Sequence, residues 1–479
     1  MGISLNPASL LSGQGLDVST LVSQLMNQKS GQLTEWQSEQ TTLQLQAGLL
    51  SAINGHLSSL ADAVTALSDP LGALTAQSAT SSDSSIVTAS AATTAPAGTH
   101  AVVVNALATA GLVYADAVPG GDSVSILPDG QNSGDLKIQI GGASGTLADI
   151  QITAGKNDTL STLASSINSQ SAANKWGITA AVVTDADGAR LSVVSQATGT
   201  PGALSITSNT SSLNFSDPIG GTNASVTVDG TPYHYATNTV PPGAISGVTL
   251  NLASASPNTT VQISVGPDVQ RATSAINDFV SAYNQVINDI NQQYTVNPAT
   301  DSQGPLAPDS ALRALQSSLM QDITYSISDN SGLVNLAALG INMNNDGTLT
   351  VGTNAAGQSM SQVFSSNPAA FQNFFQNSNS TGFANHFHND LTNLTSPTVG
   401  LLSVDLAQNK IGQQNLADSI NNFERQLADQ QKQLTMQFSQ VNASLQAYPL
   451  LLQQVTETLA SMNVDTSGGS SHPTKTSGL

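Results

Sequence analysis

Residues 33–68 read LTEWQSEQTTLQLQAGLLSAINGHLSSLADAVTALS, a polar stretch crossed by a regular stripe of apolar side chains. The apolar residues recur at alternating intervals of three and four, and this spacing predicts one long helix with a heptad seam. Asp69 and Pro70 end the predicted helix, because proline cannot continue the backbone hydrogen bonding. The apolar members of the seam are Leu33, Trp36, Leu43, Leu50, Leu57 and Val64, and its polar positions include Gln40 and Asn54.

A second heptad seam crosses the C-terminal region of the chain. Its apolar members are Leu416, Ile420, Phe423, Leu427, Leu434, Phe438, Val441 and Leu445. The alternation is interrupted by two consecutive intervals of four, from Gln430 to Leu434 and from Leu434 to Phe438. Such an interruption, a stutter, locally unwinds a supercoil. We expect Pro449 to end this helix and to open a shorter one that carries Leu452, Val455 and Leu459.

The two ends of the chain share the same composition and the same period. We therefore expect the helix at 33–67 to pack against the helix at 402–445, with the intervening chain as an insertion. The expected fold class is α+β multidomain: a discontinuous helical bundle or coiled-coil leg from both chain ends, with inserted β-rich head domains.

The middle of the chain changes character. From about residue 78 to residue 266, Ser, Thr, Ala and Val alternate with period two and predict strands. One helical insert carries Leu160, Leu163, Ala164 and Ile167 on a single face. Helices return after Pro267, and GINMNNDGTLTV at 340–351 predicts a hairpin.

These changes divide the chain into seven expected segments. They are an N-terminal assembly arm (1–35), the first helix of a helical leg domain (36–77), the first part of an inner β domain (78–105), an inserted outer β-rich domain (106–215), the second part of the inner β domain (216–267), the rest of the leg domain (268–445), and a C-terminal arm with a disordered tail (446–479).

Composition excludes several classes of partner. Only 9% of the residues are charged, the net charge is −20 and the sequence pI is near 4.2, so phosphate backbones and anionic lipid surfaces are repelled. We expect no nucleic-acid partner and no membrane insertion. The chain has no cysteine, and residues 1–14 lack the basic start and apolar run of a secretory signal. Any export is therefore expected to use a route without a cleaved signal peptide.

No catalytic or cofactor-binding constellation is recognisable. The chain lacks GxSxG, HExxH, P-loop and GxGxxG motifs, so we expect neither an enzyme nor a bound cofactor. His386, His388 and Asp390 are the best metal candidates, but helical residues two apart point about 200° from each other, which favours a solvated helix surface. Asn342 and Asp346 resemble the start of a calcium loop, yet Thr353 stands where a bidentate Glu is required.

The two extremities carry apolar residues without an obvious cover. In GLDVSTLVSQLM, residues 15–26, the apolar side consists of Leu21, Val22, Leu25 and Met26. An isolated helix of about 12 residues is marginal in water. We expect this segment and residues 450–462 to be loose in the monomer and to fold on assembly. Each seam, in contrast, could also be the core of a local helical bundle.

Taken together, five stretches resemble the flagellar filament-capping proteins, the hook-associated protein 2 or FliD family. The likeness covers nearly the whole chain. The stretches are GLDVSTLVSQLM at 15–26, SSDSSIVTASAATTAPAGTHAVVVNALA at 81–108, NDTLSTLASSIN followed by GITAAVVTDADGARLSVVS, LAALGINMNNDGTLTV at 336–351, and GLLSVDLAQNKIGQQNLADSINNFERQLADQQKQLTMQFSQVNASLQAY at 400–448.

The resemblance implies a secreted structural protein at the distal tip of the flagellum. Such a protein would form a ring-like homo-oligomer, with β domains as a plate and helical parts as legs, and would retain flagellin and promote its polymerisation. Its partners would be itself, flagellin and the flagellar export machinery or its chaperone. The residues implied as contacts toward filament subunits are Leu21, Val22, Leu25, Met26, Leu452, Val455 and Leu459.

Two other functions remain open at the level of sequence. A flagellar junction protein or minor flagellin would also have heptad termini, although GLDVSTLVSQLM and the hairpin at 336–351 argue against it. A tip-exposed surface adhesin would need a glycan site, for which Trp176, Tyr233 and Tyr235 give only a weak aromatic signal.

Overall fold

A computed structural model describes residues 17–299, 301–328, 330–377 and 379–464. The expectations for residues 1–16 and for the tail at 465–479 lie outside these ranges. The helices are α1 Val18–Lys29, α2 Gly31–Ser68, α3 Leu160–Asn174, α4 Val269–Tyr294, α5 Ser310–Ile323, α6 Met360–Ser366, α7 Pro368–Phe375, α8 Phe383–Leu394 and α9 Leu401–Val464.

The strands form several small antiparallel sheets. Their bounds are β1 Gln77–Ser81, β2 Val87–Ala91, β3 Gly98–Ala106, β4 Ala110–Tyr114, β5 Ser133–Ile140, β6 Thr146–Thr153, β7 Ile178–Asp185, β8 Gly188–Thr198, β9 Leu204–Asn209, β10 Ala224–Val228, β11 Thr231–Tyr235, β12 Thr239–Ile245, β13 Val248–Leu252, β14 Val261–Pro267, β15 Ile341–Met343 and β16 Leu349–Val351. The predicted mixture of terminal helices and a β-rich middle is confirmed.

The first β core lies between two sheets whose strands come from both sides of an insertion. One sheet has the order β1-β14-β3-β10-β11 and the other has the order β12-β13-β2. Val102, Val226 and Ile263 are buried between them, and each belongs to a strand in which burial alternates with period two. Residues from both sides of the insertion, within 86–108 and 224–265, share this core.

The second β core belongs to the inserted stretch. It is enclosed by the sheets β4-β8-β7 and β6-β5-β9 together with α3. The predicted face of α3 is buried, with Leu160, Leu163 and Ile167 at 0% exposure. Thr159 caps this helix through a reciprocal capping box with Thr162, which fixes where the helix begins.

The helical core gathers the second half of α2 with α4 to α8 and the β15–β16 hairpin. The apolar face of α4 is buried, including Ile276, Phe279 and Tyr283. Phe279 makes edge-to-face ring contacts with Phe383 and Phe387 at centroid distances of 5.8 and 6.1 Å. The predicted hairpin forms, and Gly347 in its turn has φ of 83°.

In its second half, the first heptad seam lies on the face of α2 that packs into the helical core, and this face is wider than the seam. Leu50, Leu57 and Val64 are buried as predicted. Three further residues of α2, each three positions after one of these, also enter the core: Ile53, Leu60 and Leu67. Asn54 and Ala61 are only half-buried. The stripe is wider than a two-residue seam because this half of α2 packs against several helices at once.

The predicted end of the last helix at Pro449 is wrong. Helix α9 runs without a break from Leu401 to Val464, with Pro449 inside it. Proline removes one backbone donor and crowds the carbonyl four residues earlier, which kinks or weakens a helix without having to stop it. The boundary expected between residues 445 and 446 therefore falls within one helix.

Candidate assembly surface

Helix α1 lies against α9, which corrects the expectation that nothing covers it. Asp17 caps α1 by accepting a hydrogen bond from the Thr20 amide. Val22 is 2% exposed, and the Lys29 Nζ donates to Gln430 Oε1 on α9 at 3.0 Å. The sequence pattern did predict the helix, but the covering surface comes from the opposite end of the chain.

The first half of α2 continues this antiparallel arrangement along α9. The rings of Trp36 and Phe423 meet edge to face with centroids 5.4 Å apart. Further along, Gln413 Nε2 donates to the Leu43 carbonyl at 3.3 Å. Residues with increasing numbers on α2 thus meet residues with decreasing numbers on α9. The predicted packing of the two terminal helices is confirmed for this stretch.

The seam residues on these two helices differ in burial. Among those beyond the helical core, Ile420 is buried and Val441 is 49% exposed. The remaining members are half-buried, namely Leu33, Trp36, Leu43, Leu416, Phe423, Leu427, Leu434, Phe438 and Leu445.

The last turns of α9 carry an apolar stripe that none of the described residues buries. Tyr448, Leu452, Val455 and Leu459 are between 51% and 64% exposed, at spacings of four, three and four. The register set by Lys29 and Gln430 places the start of α1 well before this stripe. Residues 450–461 are helical here, whereas the sequence suggested a segment that is loose before assembly.

A sequence signal for this continuity existed. The intervals that follow Phe438, Val441 and Leu445 continue through Tyr448 to Leu452 without a change of frame. Pro449 stands outside the stripe, so the helix can keep one apolar face on both sides of the proline. We name the four residues Tyr448, Leu452, Val455 and Leu459 the distal stripe.

A polar cluster lies between α5 and α8, within the helical core. Asp322 Oδ1 is 3.5 Å from His386 Nε2, and the same nitrogen is 3.7 Å from Asp390 Oδ2. Burial, followed by the neighbouring Asp390 carboxyl, raises the pKa of Asp322 to about 8. The sequence offers His386, His388 and Asp390 on α8 as candidate metal ligands, without Asp322. His388 points elsewhere and contacts Thr65 Oγ1 at 3.1 Å.

The aromatic residues considered for a glycan site are not gathered in one place. Trp176 packs against the second β core, while Tyr233 and Tyr235 pack against the first. The two tyrosines stack on the outer strand β11 with centroids 6.3 Å apart. The hairpin at Asn342 and Asp346 is held by its own hydrogen bonds, such as Thr348 Oγ1 to Asp346 Oδ1 at 2.6 Å.

Two family models cover both termini of this architecture. The model described as flagellar hook-associated protein 2 N-terminus matches residues 14–111, and the model of its C-terminus matches residues 221–448. The chain belongs to the flagellar hook-associated protein 2 family. The stretch between the two matches contains most of the second β core, so the matches cover the first β core and the helical parts up to residue 448.

Relatives in other bacteria match most of the chain. The B-type flagellar hook-associated protein 2 of Pseudomonas aeruginosa is 27% identical over 93% of this chain and 96% of its own length. Flagellar hook-associated protein 2 of Escherichia coli K12 is 26% identical over 70% of this chain and 73% of its own. Sequence similarity thus extends beyond the isolated motifs.

A solved structure has the same fold. The crystal structure of the D1-D2-D3 domains of the flagellar cap protein FliD from Escherichia coli covers 76% of this chain and 99% of its own, with a TM-score of 0.56 and 24% identity. The predicted hook-associated protein 2 family is confirmed. Among the helices that the structure describes, none combines the length and apolar character needed to cross a membrane.

Proposed function

We propose that this protein is a flagellar cap that oligomerises at the distal end of the growing filament, retains flagellin and promotes its polymerisation. Its role is structural, without catalysis or a cofactor. The partners are further copies of the chain in a ring-like homo-oligomer, flagellin, and the export machinery or its chaperone. The protein is extracellular, at the flagellum tip, and reaches it without a cleaved signal peptide.

The distal stripe is the observation that carries this proposal. Fully burying a large apolar side chain stabilises by roughly 1.5 to 3 kcal/mol relative to leaving it in water. Leu452, Val455 and Leu459 each remain more than half exposed near the C-terminal end of α9, beyond the stretch where the described part of α1 packs against this helix. A regular apolar stripe of this kind fits a partner helix.

The seven-segment division is part of the proposal. The three hydrophobic cores support a helical leg, an inner β domain made of two chain segments and an inserted outer domain. Within the proposal, the leg presents the distal stripe to neighbouring copies of the chain and to filament subunits. Leu21, Leu25 and Met26 are half-exposed candidates for further contacts, while the buried Val22 attaches α1 to α9.

The test is deletion of this gene in its host, with unpolymerised flagellin in the culture medium and filament number per cell as readouts. We expect flagellin to accumulate in the medium and filaments to be lost, and re-expression of the gene to reverse both effects. Normal filament growth in the deletion strain would contradict the proposal.

The alternative functions receive less support. The family match disfavours a junction protein or a minor flagellin. The adhesin alternative depended on Trp176, Tyr233 and Tyr235, which belong to two different cores. If the deletion strain kept normal filaments but lost surface attachment, the adhesin function would replace the cap function.

A further inference from the structure

The polar cluster between α5 and α8 contains a buried carboxylate that is incompletely satisfied. The Asp322 side chain is 2% exposed, and its Oδ2 has no hydrogen-bond partner within the described residues. A buried polar atom without a partner costs roughly 1 to 3 kcal/mol, and more when the group is charged. Since Asp322 lies at the end of α5, directly beside His386 of α8, this cost points to a ligand that the two helices share.

The side chains around Asp322 have the chemistry of a metal site. Asp322, His386 and Asp390 each offer one ligand atom, and these three atoms all lie within 4.8 Å of one another. In a tetrahedral zinc site, with bonds of about 2.0 to 2.2 Å, ligand atoms are roughly 3.4 Å apart. The distances of 3.5 and 3.7 Å from His386 Nε2 to the two carboxylates are close to this value.

The position of the imidazole is fixed by its surroundings. The ring of Tyr325 stacks on the ring of His386, with centroids 4.2 Å apart and an interplanar angle of 16°. The Tyr325 hydroxyl donates to the Thr381 carbonyl at 3.0 Å, which anchors the tyrosine in turn. A ligand whose ring is held by a neighbour that is itself anchored loses little conformational freedom on binding a metal.

The geometry points to a divalent transition-metal site, formed by Asp322, His386 and Asp390, that clamps α5 to α8. An imidazole nitrogen with two carboxylate oxygens suits Zn²⁺ and its neighbours, whereas Mg²⁺ and Ca²⁺ prefer an all-oxygen set. His386 and Asp390 are 38% and 42% exposed, so the metal is reachable from solvent and a water molecule completes its coordination.

The test is titration of the chelator-stripped full-length protein with Zn²⁺ in a calorimeter, repeated with Mg²⁺ and Ca²⁺. We expect one Zn²⁺ per chain in the wild type and at least about tenfold weaker binding in His386→Gln and in Asp390→Asn. His388→Gln is the matched control, because His388 lies on the same helix but contacts Thr65, and it should bind as the wild type does.

Thermal unfolding gives a second readout that does not depend on calorimetric heat. Zn²⁺ should raise the melting temperature of the wild type and of His388→Gln, and should leave that of His386→Gln unchanged. Equal Zn²⁺ affinity in the wild type and His386→Gln would overturn the site, as would the absence of Zn²⁺ binding. Equally tight binding of Mg²⁺ or Ca²⁺ would overturn the assignment to a transition metal. Circular dichroism of each variant verifies that it is folded.

Discussion

Leu57 shows how strongly one residue of the first heptad seam holds the helical core. Its side chain is 0% exposed, and it lies in the half of α2 that packs against α4 and α8. Leu57→Ala should lower the free energy of unfolding of this core by about 2 to 5 kcal/mol, through lost burial and the cavity left behind. Alanine is a good helix former, so helix propensity does not contribute to the loss.

The measurement is urea unfolding followed by circular dichroism of the helices. Leu45→Ala is the matched control, since Leu45 lies on the same helix but is 58% exposed. Leu45→Ala should change the free energy of unfolding by only about a few tenths of a kcal/mol. Equal effects of the two substitutions would contradict the packing described for α2.

Asp405 and Asp309 form a second pair of carboxyl groups, at the contact of α9 with α5. Asp309 caps α5, because its Oδ1 accepts from the amide of Ala311 at 2.7 Å. Burial, followed by the neighbouring Asp309, raises the pKa of Asp405 from 3.8 to about 6. The folded chain therefore holds a proton that the unfolded chain releases at lower pH, so ionised Asp405 destabilises the fold above about pH 6.

The sign of the pH dependence follows from this shift. The destabilisation of the fold by ionised Asp405 is fully present above pH 6 and disappears as the pH falls toward 4. Asp405→Asn should therefore raise the unfolding free energy at neutral pH by about 1 kcal/mol after solvent screening, with no gain at pH 4. Asp418→Asn removes an exposed carboxylate from the same helix and is the control. A variant Asp405→Asn that follows the wild type at every pH would disprove the coupling.

Single residues also show which contacts a local sequence pattern can predict and which it cannot. Leu50, Leu57 and Val64 were identified correctly, because burial on a helix follows its period. The partner of His386 was missed, because Asp322 lies on another helix and only tertiary packing brings α5 beside α8. The only local signal was the i, i+4 spacing of His386 and Asp390, which places both side chains on one face.

Among the elements, α9 is the helix whose surroundings change along its length. Its first turns join the helical core through Leu402, its middle packs on α2 and α1, and its last turns carry the distal stripe. The period of apolar residues predicted the pairing of α9 with α2. It could not predict which part of the stripe is covered, since that depends on where α1 begins.

Charges placed in the distal stripe should weaken assembly and leave folding unchanged. The double variant Leu452→Asp, Val455→Asp changes two side chains that are more than half exposed, so helix content and unfolding should remain close to those of the wild type. Self-association should weaken, because ionised carboxylates resist burial in an apolar contact. Sedimentation velocity of the full-length chain is the measurement.

The matched control for this variant is Gln454→Asp, which adds a carboxylate to an exposed position outside the stripe. It should assemble as the wild type does. If the control and the stripe variant lose assembly to the same extent, net charge rather than the apolar stripe governs self-association. If neither loses it, α9 is not the contact.

At the scale of the whole molecule, the heptad period at both ends correctly indicated that the termini meet and enclose a β-rich insertion. The strands and turns of the two β cores followed from alternation and from glycine turns. The order of strands in the sheets did not, because β14 pairs with β1 and β3 across more than 150 residues of chain. Long-range pairing is decided by packing that no local pattern records.

We propose that the exposed end of α9 enables this chain to act as a filament cap. The most direct test adds purified protein to the gene-deletion strain and measures the length of new filaments, with flagellin in the medium. The full-length chain should restore filament growth, whereas a chain ending at residue 445 should fold and fail to restore it. Equal restoration by the shortened chain would contradict the account.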